Sequence, residues 1–374
     1  MTDESRGAGP SAEPRRGLSV IIPVRGRVDL LRRQLETLRT AVEHCPEPAE
    51  IIVVDDSPPD DARRHRANCA AFGARYLRGP RHVGAKRNLG ARHARYDLLV
   101  FADSDQRSPA DLLERYATGL RRAPAEVGAV TGPLSTEQGD SATFRIMRRS
   151  YLLLGDHEDA LRYRRMSWCL GGNTAIRREV FAEVGGFPED SPSPLGGEDV
   201  HLGLKLTGAG YVILCDPDAR VIHDAAVAQT LRSVCYRFVT YGRSEQWLCA
   251  RHADRQEFRL NAVSALAVTA VAGLAGARRS RGRSLLALPL TAAALVGGRA
   301  LRRAGPDRSP RAVADSVAQS LLELVFDGSA FVTALRMGRP DLLFAGFRPP
   351  TDETHRRAPD EALPLWGPAK PAGG

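Results

Sequence analysis

The chain has 374 residues, 43% of them hydrophobic and 26% charged, with a formal net charge of +9. That length and balance suit one large globular domain or two ordinary ones, and exclude a collagen-like chain, a coiled coil, a disulfide miniprotein and a polytopic membrane protein. The positive excess favours anionic partners such as phosphates, nucleotides or an acidic membrane surface. Nucleic acid is not expected, because no basic patch is interleaved with aromatic residues. None of the six cysteines forms a C-x-x-C pair, which argues against a zinc ribbon or redox dithiol and suits a reducing cytosol.

Residues 1–16 are polar and lack an apolar h-region, so they read as a disordered leader rather than a signal peptide. Residues 18–24 are a short apolar run closed by Pro23, the pattern of a buried strand. Apolar residues at Val28, Leu31, Leu35, Leu38 and Val42 have helical spacing. A second buried strand covers 51–54, a helix 60–72, a short strand 74–77 and a helix 84–94. A third strong strand covers 98–102, a helix 112–121 and a strand 127–131. This alternation predicts a mostly parallel sheet with helices on both faces, whose ligands gather at the carboxyl ends of the strands. Residues 135–165 are polar and irregular, a candidate lid or acceptor loop. Residues 168–206 hold several glycines and acids, and short strands are expected at 211–214 and 220–222. Beyond about 230 the alternation stops. A helix is expected at 231–251, uncharged stretches run over 260–277 and 284–298 between arginines, and a helix over 313–337 is expected to break at Gly328. The tail after Arg348 reads as disordered.

Five segments could carry chemistry. In Asp103-Ser104-Asp105, two carboxylates one residue apart after a strand can face one divalent cation, or the motif can cap the next helix. Asp55-Asp56-Ser57 can bind a ribose or a base N–H, or open a turn. Gly84-Ala85-Lys86-Arg87-Asn88 can receive phosphate at a helix start, or be a solvated basic helix. Gly196-Gly197-Glu198-Asp199 after Leu195 can supply a general base, or a cap with first-turn acids. His223 can complete a metal site or be structural.

The order and spacing of these segments resemble the family 2-like glycosyltransferases with the GT-A fold. The resemblance spans about 17–240. It rests on Pro23-Val24-Arg25-Gly26-Arg27, the Val-Asp-Asp-Ser strand end, 84–88, Asp103-Ser104-Asp105, 171–178, Gly185-Gly186-Phe187, Gly196-Gly197-Glu198-Asp199 and His223. Some features are similar to the galactosyltransferase branch, which usually has Trp where this chain has Leu195. The resemblance implies an inverting transfer of sugar from a nucleotide-sugar donor (UDP-, GDP- or dTDP-linked) to the hydroxyl of a small-molecule, lipid-linked or peptide acceptor, with Mn²⁺ or Mg²⁺ as cofactor.

By the same resemblance, Asp55 or Asp56 and Arg25 or Arg27, beside Pro23, contact the donor nucleoside, and Lys86 and Arg87 approach the base or diphosphate. Asp103 faces ribose or metal, Asp105 and His223 ligate the cation, and Gly171, Gly172 and Asn173 line the donor sugar or acceptor. Asp199 is the general base and Glu198 orients hydroxyls. The implied organisation is a leader (1–16), a GT-A domain (17–240), a C-terminal helical region (241–347) that packs on the enzyme or meets a membrane, and a disordered tail (348–374). The expected location is the cytoplasm, with peripheral contact to the inner face of the membrane as an extension. A sugar-nucleotide nucleotidyltransferase and a non-catalytic nucleotide-sugar-binding subunit are the alternatives.

Overall fold

The computed structural model describes residues 14–348 apart from 138, 140, 148–149, 151–158, 192–195, 225–229 and 306–308. The chain opens as β1 (Arg15–Val24), α1 (Val28–His44), β2 (Ala49–Asp55), α2 (Pro59–Ala71), β3 (Arg75–Arg78), α3 (Val83–His93) and β4 (Tyr96–Ala102). It continues through β5 (Gln106–Arg107), α4 (Leu112–Arg122), β6 (Val127–Thr131), β7 (Leu134–Thr136), α5 (Ala142–Met147), α6 (Asp159–Arg162) and β8 (Arg165–Met166). Next come β9 (Asn173–Arg177), α7 (Arg178–Glu183), α8 (Glu198–Gly208), β10 (Val212–Cys215) and β11 (Val221–His223). The C-terminal part comprises α9 (Leu231–Arg251), β12 (Gln256–Phe258), α10 (Ala262–Ala277), α11 (Ala287–Ala304), α12 (Pro310–Arg336) and β13 (Ala345–Phe347).

Eight strands form the central sheet in the order β3-β2-β1-β4-β9-β6-β10-β8. Strands β3, β2, β1 and β4 are parallel, as is the β6–β10 pair. Successive side chains of a strand face opposite ways. Val20, Ile22 and Val24 therefore pack with Leu31, Leu35 and Leu38 of α1 in one core, while Ile21 joins Phe101, Phe181 and Leu202 in the other. Both faces are covered, which is why β1, β2 and β4 read as unbroken apolar runs.

The antiparallel β9 sits between β4 and β6 and has no such run. Its Asn173 and Thr174 are buried but fully engaged: Thr174 Oγ1 donates to Leu170 O (2.7 Å) and Asn173 Nδ2 to Ala219 O (2.8 Å). Hydrogen bonding thus lets a polar sequence occupy mid-sheet, where the hydrophobic pattern predicts nothing.

Three other boundaries differ from expectation. Arg15 already pairs with Tyr96, so β1 starts inside the expected leader. Helix α9 runs unbroken through residue 240, placing the expected domain boundary inside a helix. Helix α12 passes Gly328 without a break; a Cβ there would meet only Val263, at 3.9 Å, so α12 continues beside α10. The described residues of the expected lid include β7, α5 and α6 and run into β8, with Met147 of α5 packed on Phe238 and Phe326. Residues 1–13, Leu195 and the tail beyond Arg348 lie outside the described residues.

Candidate active site

A cleft of about 980 Å³ opens above the carboxyl ends of β1 and β4 and is closed on its far side by α9, β12 and β13. After β1, Gly26 (φ 61°) and Arg27 (φ 57°) are both left-handed, so the chain reverses into α1 with Arg27 over the cleft. Arg27 donates to Asp105 and Arg25 to Asp56 Oδ2 (2.5 Å).

A second, three-stranded sheet, β5-β11-β7, assembles the expected metal-ligand residues. β11 pairs antiparallel with β5, setting His223 opposite Gln106. His223 Nε2 then lies 3.2 Å from Asp105 Oδ1, and Asp224 N donates to Asp105 O (2.9 Å). Asp103, Asp105 and His223 each offer a ligand atom, all within 4.8 Å of one another. Two carboxylates and an imidazole suit Mn²⁺ or Mg²⁺, so the residues fit the expected cation. Burial alone would raise the Asp105 carboxyl, but His223 and Arg27 outweigh it and hold it well below its usual range.

Arg87 joins this cluster to the acids of α8. Its Nη2 donates to Asp103 Oδ1 (2.9 Å) and its Nη1 to Glu198 Oε1 (2.8 Å), with the guanidinium over the Phe187 ring at 5.1 Å. The side chain is almost fully buried. Burial disfavours its charge, but Asp103, Glu198 and Asp199 outweigh this and raise its pKa above the ordinary value.

Two glycines make this packing possible. A Cβ at Gly171 would come within 2.8 Å of Arg87 Nη1, and one at Gly172 within 2.4 Å of Asp103 Oδ2. Their smallness serves the protein's own charged groups as well as the cleft.

Gly197 (φ 83°) begins α8, setting Glu198 and Asp199 in its first turn. Glu198 Oε2 is buried without a partner among the described residues. Asp199 accepts from Gly171 N (3.3 Å) and from its neighbour Val200 N (2.9 Å) while its carboxyl borders the cleft. Burial, then the negative charge of Glu198, push the Asp199 carboxyl up to about 7. An acid poised there can take up a proton near neutral pH.

The remaining expected residues divide. Pro23, Arg25, Arg27, Lys86, Arg87, Asp103, Gly171, Gly172, Glu198 and Asp199 line the cleft with Asp105 and His223. Asp55 does not: it is buried, accepting from Ser57 N (2.7 Å), Tyr76 OH (2.8 Å) and Arg78 Nη1 (3.3 Å). Burial would raise its pKa, but the hydrogen bonds from Ser57 and Tyr76 and the nearby His65 prevail and lower it. Asp56 also stands behind the lining, where Lys86 Nζ donates to it (2.5 Å) and to Val24 O (3.0 Å). Asn173 holds the sheet together below the cleft through Tyr116 OH (2.6 Å to Oδ1). The start of α3 is not open to phosphate either: a Cβ at Gly84 would meet Pro188 O at 2.4 Å, and His82 accepts from Ala85 N (3.4 Å).

Sequence reasoning misses the wall built by α9. Arg237 Nη1 donates to Tyr241 OH (3.2 Å), and both line the cleft with Arg259 and Phe347. The R-x-x-x-Y spacing on the expected 231–251 helix places the first two on one face, the only signal for them in the sequence.

Residues 19–185 match the family described as Glycosyl transferase family 2. The match marks this part of the chain as similar to family 2 glycosyltransferase domains. Its fold is the expected GT-A arrangement, a mostly parallel sheet with helices on both faces, followed by a C-terminal helical region. The chain is 29% identical over 307 residues to the pre-mycofactocin glycosyltransferase of Mycobacterium tuberculosis, covering 79% of this chain and 59% of that protein. It is 25% identical over 253 residues to the O-antigen biosynthesis protein RfbC of Myxococcus xanthus, covering 62% of this chain and 19% of that one. It thus spans about three fifths of the first relative's length and a fifth of the second's. Among solved structures, the mannosyltransferase PcManGT of Pyrobaculum calidifontis, in complex with GDP-Man and Mn²⁺, is 20% identical with a TM-score of 0.48, covering 88% of each chain.

Proposed function

We propose that the chain is an inverting glycosyltransferase that moves a sugar from a nucleotide-sugar donor to an acceptor hydroxyl. The observation that carries this reading is the placement of Asp199 and the Asp103–Asp105–His223 cluster on one cleft, bridged by Arg87. The family of residues 19–185 and the name of the mycobacterial relative support sugar transfer as the chemistry.

In this reading Asp103, Asp105 and His223 hold Mn²⁺ or Mg²⁺, which when bound neutralises charge on the donor diphosphate. Arg27 and Arg25, about half exposed on the cleft rim, meet the anionic donor. Lys86, committed to Asp56, stiffens the loop after β1 rather than offering a free charge. The acceptor hydroxyl gives its proton to Asp199 as its oxygen bonds the anomeric carbon, and the carbon–phosphate oxygen bond breaks to release the nucleoside diphosphate. Attack from the face opposite the leaving group inverts the anomeric centre. Glu198 keeps Arg87 in place, and its unpartnered Oε2 can accept from a sugar hydroxyl. The catalytic unit then extends past residue 240, because α9, β12 and β13 complete the cleft wall.

The test is transfer by purified protein with Mn²⁺ and a panel of UDP-, GDP- and dTDP-sugars, with nucleoside diphosphate and product anomer as readouts. Inverted product lost in Asp199→Asn supports the reading. Retained configuration, or unchanged turnover in that variant, refutes it.

A further inference from the structure

Helices α10 and α11 are built inside out. Their buried positions are small: Ala262, Ser264 and Gly273 in α10, Ala300 and Ala304 in α11. What binds them to α12 is polar: Arg299 to Asp327 (2.7 Å), Arg303 to Glu323, and Asn261 Nδ2 donating to Asp327 O (3.0 Å). Their large apolar side chains face outward instead. Val268, Val271 and Leu274 of α10, Leu286 in the turn before α11 and Leu290 of α11 are 55–69% exposed. A soluble protein rarely leaves so many large apolar residues on one element, so this face has an occupant.

Charge identifies the occupant. Residues 260–305 contain seven arginines and no acidic residue. Four of them, Arg278, Arg279, Arg281 and Arg283, crowd the turn between the helices, all exposed and with no ion pair to a described residue. A second copy of this face would bring arginine against arginine, whereas an anionic lipid surface offers phosphate to the turn and acyl chains to the leucines. Residues 283–304 are long and apolar enough to cross a membrane, but α10, with 16 residues and about 24 Å of rise, is short of the ~30 Å hydrocarbon core, so the two helices do not span it as a pair. We propose that the α10–α11 hairpin docks the enzyme on an anionic bilayer, lying in the interface with its arginine turn among the headgroups. The surface begins beside the cleft, since Phe258 lines the cleft and Leu260, two residues on, is already exposed. This inference does not depend on the reaction proposed above.

The experiment is co-sedimentation of the full chain with vesicles of phosphatidylcholine alone and of phosphatidylcholine with phosphatidylglycerol. Binding is expected only to the anionic vesicles and falls as salt rises. Replacing Arg278, Arg279, Arg281 and Arg283 by Ser weakens it at least about tenfold, and Leu286→Ser with Leu290→Ser weakens it separately. All these positions are exposed, and an unchanged circular-dichroism melt verifies the fold. Three results overturn the proposal: equal or no binding to both vesicles, binding that resists 1 M salt (~3 Å screening length) as an inserted hairpin would, or a leucine-dependent dimer without vesicle binding.

Discussion

Replacing Arg87 by Met keeps the length of the side chain and removes the charge that three acidic groups surround. The guanidinium makes charge-assisted bonds to Glu198 and Asp103 at 2.8 and 2.9 Å, and both Arg87 and Glu198 are nearly inaccessible to water. Removing one partner of a buried pair leaves the other charge desolvated, a cost of about 3–5 kcal/mol. The half-open setting of Asp103, one third exposed, puts the expected loss toward the lower end. Equilibrium denaturation in urea at pH 7 measures it. Combining Arg87→Met with Glu198→Gln removes the stranded charge, so the double variant is less destabilised than the sum of the singles by about 1–3 kcal/mol. A loss under about 1 kcal/mol for Arg87→Met, or strict additivity, would refute Arg87 as the tie between the two halves of the site.

The Asp199 carboxyl, raised to about 7 by burial and by Glu198, gives kcat/KM an acid limb near neutrality because the base works only when deprotonated. Glu198→Gln removes the nearby negative charge and frees Arg87 to act on Asp199. Both effects move the limb to lower pH, so a pH–rate profile that stays put or moves up would contradict the assignment. The native state holds this proton between 3.8 and about 7, where the unfolded state has lost it. Asp199 therefore makes stability fall as pH rises through that window, and Asp199→Asn flattens the slope in thermal melts. Gly172→Ala drives a methyl group to within 2.4 Å of Asp103 Oδ2; at least a tenfold loss of turnover is expected, about 1.4 kcal/mol, with the melt little changed. His223→Ala or chelation by EDTA abolishes metal-dependent donor binding, read by calorimetry, and excess Mn²⁺ restores only the chelated parent.

How much was legible in the sequence follows from what each residue touches. Strands β1, β2 and β4 announced themselves because both faces of each are buried. The Asp103–Asp105 pair and His223 were identified by type and position, although the pairing of β11 with β5 that brings them together is invisible in one dimension. Asp55 and Asn173 show the opposite case. Each sits in a segment expected to carry chemistry, yet each satisfies its own polar atoms inside the fold, through Ser57 and Tyr76 or through Tyr116 and Ala219. A motif does not say which of its members faces the ligand. The wall of Arg237, Tyr241 and Arg259 was hidden because it comes from beyond residue 230, where the strand–helix alternation has stopped and only the R-x-x-x-Y spacing hints at two of the three.

In the proposed mechanism Asp199 and the Asp103–Asp105–His223 cluster act on one donor in one cleft. Its most direct test is release of nucleoside diphosphate from UDP-, GDP- and dTDP-sugars with and without Mn²⁺, comparing the parent chain with Asp199→Asn and Asp105→Ala. Mn²⁺-dependent release from one donor is expected, lost in Asp199→Asn while donor binding persists, and lost together with donor binding in Asp105→Ala. Release that is independent of the metal, or equal in the parent and Asp199→Asn, would contradict it.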